Sequence, residues 1–167
     1  MRLFTVAVVA LSLAPSASRA QRPARVDSLV LERTLCFGTC PAYRLRIAND
    51  GRIHFQSRNP GDSTIATDSV PPARLAEIVR LADAARFFEL PSKIMDDREI
   101  CRDMATDHPT VTVSVFGDSR HVVEDYLGCY ARSDHSTGEQ LTQLRRFETA
   151  IDSILNSARW VRPARRR

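Results

Sequence analysis

The 167-residue chain has no apolar segment long enough to cross a membrane. A membrane-spanning helix needs roughly 18 apolar residues or more. The longest apolar run, from Leu3 to Leu13, is shorter than that, and no later run is longer or more apolar. The sequence therefore predicts no transmembrane segment.

The short apolar run has the composition of a secretory signal peptide. It follows the basic residue Arg2 and precedes the small-residue stretch Ser18-Arg19-Ala20, both of which are typical of such segments. We therefore predict cleavage after Ala20 and a periplasmic or secreted product. The alternative is a buried N-terminal helix of a cytosolic protein. Lipid attachment is not indicated, because the first cysteine after the run is Cys36.

A strong excess of either charge is also absent. The formal net charge is +4, and two of the basic residues, Arg2 and Arg19, are removed with the predicted signal. A product with so little net charge gives no electrostatic reason to expect a nucleic-acid partner. Residues 158–167 are the exception and are predicted to form an arginine-rich tail. Such a cluster binds anionic lipid headgroups or envelope polyanions, but we prefer the alternative of a solvated tail.

Motifs that mark common catalytic and metal sites are missing. The chain has no His-x-x-x-His pair and no Gly-x-Ser-x-Gly elbow. Its histidines are scattered: His54, His108, His121 and His135. The connection from Pro91 to Pro109 is acidic but lacks the regular spacing of a calcium loop. The aspartates of this connection are Asp96, Asp97, Asp103 and Asp107. We predict no catalytic residue, no metal ligand and no cofactor.

Cysteine is present in an even number, which favours disulfide bonds in an exported chain. Cys36 and Cys40 flank Gly38, whose backbone freedom suits a small disulfide loop. Cys101 and Cys129 lie before and after one predicted hairpin. We therefore favour the pairs Cys36–Cys40 and Cys101–Cys129. The cross-connected pairings stay open, because sequence alone does not fix connectivity.

Other uses of the cysteines fit the sequence less well. Thioredoxin-like catalysis places two residues between its thiols, whereas three separate Cys36 from Cys40. A c-type haem needs a histidine directly after the second cysteine, where Pro41 stands. Four-cysteine zinc sites use paired short spacings that this chain lacks. Disulfide bonds therefore remain the preferred interpretation.

Alternation of apolar and polar residues predicts six strands. They lie at residues 28–35, 43–47, 53–55, 63–70, 111–115 and 121–126. Asp50-Gly51 stands between the second and third strands and indicates a tight hairpin. Arg33 is an exception to the pattern, because it occupies an apolar position of the first strand.

Two segments with apolar residues at three- and four-residue spacing predict amphipathic helices. The first opens at Pro71-Pro72 and reaches Phe88, and the second follows the capping-box sequence Thr137-Gly138-Glu139-Gln140. The order ββββαββα predicts an α+β fold. We expect a two-layer sandwich with a mainly antiparallel sheet and both helices on one face. The predicted domain spans residues 28–157 after an N-terminal extension at residues 21–27.

Three segments together resemble a known family. They are Cys36-Phe37-Gly38-Thr39-Cys40-Pro41-Ala42-Tyr43, Thr106-Asp107-His108-Pro109-Thr110 and Asp125-Tyr126-Leu127-Gly128-Cys129. The family is a bacterial domain of unknown function, number 6438, which occurs in exported proteins and lipoproteins. The resemblance implies an exported domain over most of the chain, and it supplies no activity, ligand or catalytic residue.

Two functional hypotheses follow. The first is a non-enzymatic binding module of the bacterial cell envelope, whose partner is an envelope protein or another ligand. Its candidate binding residues are Phe37, Tyr43, Asp107 and Tyr126. The second is a hydrolase-like or metal-assisted enzyme whose site combines loop carboxylates and histidine. We prefer the first because the chain shows no activated nucleophile. An exposed aromatic or apolar patch near Phe37 and Tyr43 would support it. A pocket with two convergent carboxylates, or with a carboxylate against a histidine, would support the second.

Overall fold

The computed structural model describes residue 23, residues 25–131 and residues 136–162. The predicted signal peptide, His135 and residues 163–167 of the predicted tail lie outside the described residues. The described chain contains a six-stranded antiparallel sheet, a two-stranded sheet and two α-helices. The predicted α+β class is therefore confirmed.

The elements are numbered in chain order. They are β1 (Val26–Arg33), β2 (Tyr43–Ala48), β3 (Arg52–Ser57), β4 (Ile65–Ser69), α1 (Ala73–Ala84), β5 (Asp103–Met104), β6 (Thr110–Gly117), β7 (Arg120–Tyr126), β8 (Cys129–Tyr130) and α2 (Ser136–Leu155). The large sheet has the order β4-β3-β2-β1-β6-β7, and β5 pairs with β8 in the small sheet.

β1 lies in the middle of the large sheet and joins the two halves of the chain. It pairs with β2 on one side and with β6, the first strand after α1, on the other. The β2–β3 turn depends on Gly51, which has φ +84°, a left-handed conformation that favours glycine. A side chain there would also collide with the Val70 carbonyl. This turn and the β6–β7 turn close one end of the sheet, and the longer loops lie at the other.

Both helices cover the same face of the large sheet. The apolar residues of β1 and its neighbours point inward and form one cluster with the apolar stripes of α1 and α2. Examples of the cluster are Leu31, Leu45, Phe55, Ile78, Val113, Leu144 and Ile151. The opposite sheet face carries mainly polar residues, as expected for an antiparallel sheet that is covered on one side.

The first helix ends earlier than its apolar pattern predicts. α1 stops at Ala84, and Arg86 adopts a left-handed conformation with φ 53° that interrupts the helical hydrogen bonds. Phe87 and Phe88 then form part of a 3₁₀ turn. Both phenylalanines remain buried in the core, so the apolar periodicity identified core residues correctly but placed the end of the helix too late.

Residues 157–162 pack against the sheet, where the sequence predicts a tail. Ser157–Arg159 form a 3₁₀ turn, and the Trp160 ring lies 5.5 Å from that of Phe55. The Arg159 guanidinium covers the Trp160 ring and pairs with Asp68 at 2.5 Å. The ordered chain therefore continues past residue 158, because an aromatic residue in the predicted tail has a place in the core.

Candidate binding surface and the charge network beneath it

Four connecting segments meet at one end of the large sheet, which we call the loop end. They are residues 34–42 after β1, residues 58–64 after β3, residues 105–109 before β6 and residues 127–131 after β7. The antiparallel registers place them together, since Arg33 lies opposite both Tyr43 and Val111, and Val111 opposite Asp125. All four predicted binding residues and three of the four cysteines lie at this end or at its border.

The Cys36–Cys40 loop is held against the segment that precedes β6. The two cysteines are paired with their Cα atoms 5.5 Å apart, and both are partly exposed. The Thr34 amide donates to the Thr110 carbonyl (3.0 Å), and the Thr110 amide donates to Thr34 Oγ1 (2.8 Å). The Phe37 amide donates to the Asp107 carbonyl (3.1 Å). The loop backbone is therefore fixed, while the Phe37 side chain is 90 % exposed.

Asp107 and Tyr126 position the contact between the Cys36–Cys40 loop and the segment that precedes β6. Asp107 has φ 69°, a left-handed conformation that aspartate tolerates better than most residues. The Tyr126 hydroxyl donates to the Ala105 carbonyl (2.8 Å) and accepts the His108 amide (3.2 Å). Tyr126 thus binds the backbone on both sides of Asp107. The Asp107 carbonyl then accepts the backbone amide of Phe37.

Four large apolar side chains form an exposed group at the loop end, which we call the loop-end patch. They are Leu35 (41 % exposed), Phe37 (90 %), Met104 (49 %) and Tyr130 (47 %). Only two other large hydrophobic residues of the described chain, Ile65 and Leu81, are comparably exposed. Exposed apolar side chains of this kind make the loop end the candidate interaction surface of the described chain.

The second cysteine pair is buried below the patch. The Cα atoms of Cys101 and Cys129 are 5.3 Å apart, and neither residue is exposed. The pair ties the long connection to the β8 strand, next to the β5–β8 pairing of Met104 with Cys129. Both favoured pairings are thus at disulfide distance in the structure. Both lie below or beside the loop-end patch.

Tyr43 does not belong to the patch, although it stands close to Phe37 in sequence. Its residue is only 4 % exposed, and its ring packs 5.5 Å from that of Phe55. Its hydroxyl donates to Asp152 Oδ1 (2.7 Å). Burial and the adjacent negative charge of Asp152 raise the pKa of the Tyr43 hydroxyl, so it remains a hydrogen-bond donor at ordinary pH. The structure therefore brings Phe37, Asp107 and Tyr126 together and separates Tyr43 from them.

A network of charged side chains lies directly beneath the loop end, between the sheet and α2. Arg33 on β1 binds Asp152 through Nε (2.9 Å) and a terminal nitrogen (2.8 Å). Ser157 Oγ and the Tyr43 hydroxyl donate to the same carboxylate at 2.5 Å and 2.7 Å. The position of Arg33 in the apolar pattern of β1 is explained by this carboxylate, which α2 supplies.

Arg145 forms the second part of the network and connects α2 to the loop end. Its guanidinium binds both oxygens of the fully buried Asp125, at 2.8 Å and 3.2 Å. It also donates to the carbonyls of Cys129 (2.9 Å) and Tyr126 (3.4 Å). One arginine therefore neutralises a buried carboxylate and fixes the chain that leaves β7 toward Tyr130.

Glu148 lies between these two ion pairs and has no equivalent partner. It is 2 % exposed, and its Oε1 has no hydrogen-bond partner in the described chain. Burial, followed by the negative charge of Asp125, raises the pKa of the Glu148 carboxyl well above its usual value. With Glu148 protonated, the cations Arg33 and Arg145 balance the anions Asp125 and Asp152. The arrangement can therefore hold one proton in the interior.

The charge network was not recognisable as a unit in the sequence. Asp125 and Glu148, like Arg33, each occupy an inward-facing position of an otherwise apolar pattern. Such isolated exceptions are the only sequence signal for the network. Asp125 and Glu148 are convergent carboxylates, but Asp125 is fully buried and held by Arg145, and Glu148 is only 2 % exposed. Their geometry supports a role in docking α2 against the sheet rather than contact with a substrate.

The acidic connection and the described histidines do not assemble into a common site. Asp97 Oδ1 accepts the amides of Glu99 (2.9 Å) and Ile100 (3.2 Å), which is a local turn contact. His121 is buried against Phe87, and its Nε2 donates to the carbonyl of that residue (3.1 Å). In residues 25–131 and 136–162, no three or more His, Cys, Asp or Glu side chains converge in a geometry suited to a metal ion.

A cleft of about 490 Å³ adjoins the patch on the side of β2. Its walls include Leu35 and three arginines, Arg33, Arg44 and Arg58. Glu32 is the one acidic residue that lines it, and it pairs with Arg44. Among the described helices, none is both long and apolar enough to cross a membrane.

Comparison with known proteins identifies a family for this chain. The family described as a domain of unknown function (DUF6438) matches residues 27–155, from the second residue of β1 to the end of α2. No curated protein matches the chain. The match includes the paired cysteines, the loop-end patch and the charge network. The chain therefore belongs to the DUF6438 family.

Proposed function

We propose that the chain is a non-enzymatic binding module of the bacterial cell envelope, which binds its partner through the loop-end patch. The exposure of Phe37 is the observation that carries this proposal. The backbone of Phe37 is already held by a disulfide loop and a hydrogen bond, so binding requires no ordering of the loop. The side chain then contributes its full apolar surface to an interface.

Export is part of the same proposal. The product begins at Gln21 after cleavage of the signal peptide, and its cysteines oxidise in the periplasm or outside the cell. Two cysteine pairs at disulfide distance support an oxidising compartment. The buried position of Cys101 and Cys129 gives their pair a structural role.

Binding to the envelope tests the proposal directly. The wild-type protein and its Phe37→Ser variant are incubated with envelope fractions of the producing bacterium, and the retained amounts are compared. Leu81→Ser is the matched control, because Leu81 is an exposed apolar residue on α1, away from the patch. We expect Phe37→Ser to lower retention roughly tenfold and Leu81→Ser to leave it unchanged. Equal retention of all three proteins would refute a role of the patch.

The enzymatic alternative receives no specific support from the site. Its predicted components were loop carboxylates and a histidine, and the described members of that set are dispersed or engaged in local contacts. The His108 ring meets the ring of Tyr130 edge-on. The binding module is therefore the function that the geometry favours.

A further inference from the structure

We infer that the partner of the loop end is an anionic lipid bilayer of the cell envelope, with Leu35 and Phe37 in the interface and the arginines beside them on the lipid phosphates. This inference rests on the proposed function and specifies its partner. A bilayer that combines phosphate groups and acyl chains matches a surface on which cations stand next to protruding apolar side chains.

The basic part of this surface runs along β2. Arg44 and Arg46 are two residues apart on one strand and therefore point to the same, outer sheet face. Arg58 joins them at the loop end, because its amide donates to the carbonyl of Ala42 (2.7 Å), directly before β2. Arg46 and Arg58 are exposed, and neither forms a salt bridge with any residue in the described parts of the chain. Their charges are available to a ligand.

The apolar part adjoins two of these cations, Arg44 and Arg58. Leu35 lines the same cleft as Arg44 and Arg58, and Phe37 follows it two residues later. Phe37 is a protruding side chain on a short, closed loop, a shape that enters a soft interface without a preformed pocket in the partner. Binding of this kind needs an apolar and an electrostatic contribution together, since either alone gives weak attachment.

Arg162 adds positive charge near Arg58. Asn59 Nδ2 donates to the carbonyl of Arg162 (3.0 Å), which places this exposed arginine beside the segment that carries Arg58. A further cation on this side increases the attraction for an anionic surface.

The other half of the patch lies beside an acidic residue. Met104 follows Asp103 in β5, and Tyr130 pairs with Asp103 in the small sheet. Carboxylates are repelled by an anionic bilayer. The lipid contact is therefore limited to the half of the patch that contains Leu35 and Phe37, and Tyr130 stays outside it.

Vesicle sedimentation tests this inference with the protein as recovered from the bacterium. Vesicles of phosphatidylglycerol mixed with phosphatidylcholine are compared with vesicles of phosphatidylcholine alone. We expect binding to the anionic vesicles that weakens at high salt, and little binding to the neutral ones. Phe37→Ser should lower partitioning roughly tenfold, and the double variant Arg46→Ser/Arg58→Ser should lower it by a similar factor or more.

Matched controls come from α1 and from the acidic half of the patch. Arg80→Ser and Leu81→Ser remove an exposed cation and an exposed apolar residue from the opposite layer, and Tyr130→Ser removes a patch residue outside the lipid contact. All three should bind as the wild type does. Equal binding to neutral vesicles, no vesicle binding, or unchanged binding of the Phe37 and arginine variants would overturn the inference.

Two further outcomes separate this inference from the proposed function. Binding to soluble polyphosphate that is as tight as binding to vesicles and independent of Phe37 would identify a phosphate site and refute lipid docking. Loss of envelope retention in Phe37→Ser without any vesicle binding would refute the lipid partner and leave the binding module intact. Melting temperatures of all variants establish that each one is folded.

Discussion

Glu148 and Arg145 have opposite roles on the buried side of α2, although both are charged residues of the same helix. Arg145 meets a carboxylate with two hydrogen bonds, whereas Glu148 has an oxygen without a partner. A buried charge is tolerated only when it is paired and hydrogen-bonded. The two residues therefore allow separate tests of the charge network.

Glu148→Gln is expected to flatten the dependence of stability on pH. The folded-state pKa of Glu148 is raised above its usual value of 4.5, so the folded state retains a proton that the unfolded state has released. The stability that this proton contributes is complete below the unfolded pKa and is lost as the pH rises through the folded pKa. Glutamine remains neutral, so the variant should be more stable than the wild type at neutral pH and equally stable in acid.

Urea unfolding at a series of pH values measures this difference. Glu139→Gln is the control, because Glu139 is an exposed residue of the same helix and should follow the wild type at every pH. Parallel curves for the wild type and Glu148→Gln would show that the Glu148 carboxyl is not held neutral by its surroundings.

Arg145→Met is expected to destabilise the protein by about 3 kcal/mol or more, because Asp125 then remains buried without its partner. Arg146→Met is the matched control, since Arg146 is the exposed neighbour on α2. The double variant Asp125→Leu/Arg145→Met should be more stable than Arg145→Met alone. A double variant less stable than the single one would place the main contribution of Arg145 elsewhere, for example in its bonds to the carbonyls of Tyr126 and Cys129.

Among the structural elements, the two disulfide loops differ in size and in exposure. Cys36 and Cys40 are four positions apart and partly exposed, while Cys101 and Cys129 are 28 positions apart and fully buried. The entropy lost by the unfolded chain grows with the size of the closed loop, which gives about 2 kcal/mol for the short loop and 3–4 kcal/mol for the long one. The larger loop therefore contributes more to stability.

The disulfides should also differ in their ease of reduction. A mild reductant is expected to open Cys36–Cys40 first, because a reducing thiolate reaches it without unfolding the protein. The double variant Cys101→Ala/Cys129→Ala should have a lower melting temperature than the double variant Cys36→Ala/Cys40→Ala. Mass-mapped alkylation gives the order of reduction, and simultaneous alkylation of all four cysteines would contradict a difference in accessibility.

The elements that the sequence predicted are those with local patterns. The alternation in β2, β3, β6 and β7 and the helical spacing in α2 were sufficient to predict these elements. Each pattern is long enough to show which residues face the core. β5 and β8 have two residues each, too few for any periodicity, so the small sheet was missed. The end of α1 was also misplaced, since the left-handed conformation of Arg86 is not visible in its residue type.

Features of the whole molecule depend on contacts between distant segments, and these were harder to predict. The pairing of β1 with β6 and the charge network both join residues that are far apart in the chain. Tyr43 was selected as a binding residue because it stands near Phe37 in sequence, but strand alternation turns it into the core. Phe37 was correctly placed in a loop, whereas its neighbours Met104 and Tyr130 only became recognisable as a patch in the fold.

At the scale of the whole molecule, the account requires an exported chain that is closed by two disulfide bonds. A mass spectrum of the protein recovered from a bacterial periplasm, taken with and without reductant, tests this requirement most directly. We predict a chain that begins at Gln21 and gains the mass of four hydrogens on reduction. A chain that retains residues 1–20, or one whose mass does not change on reduction, would contradict the account.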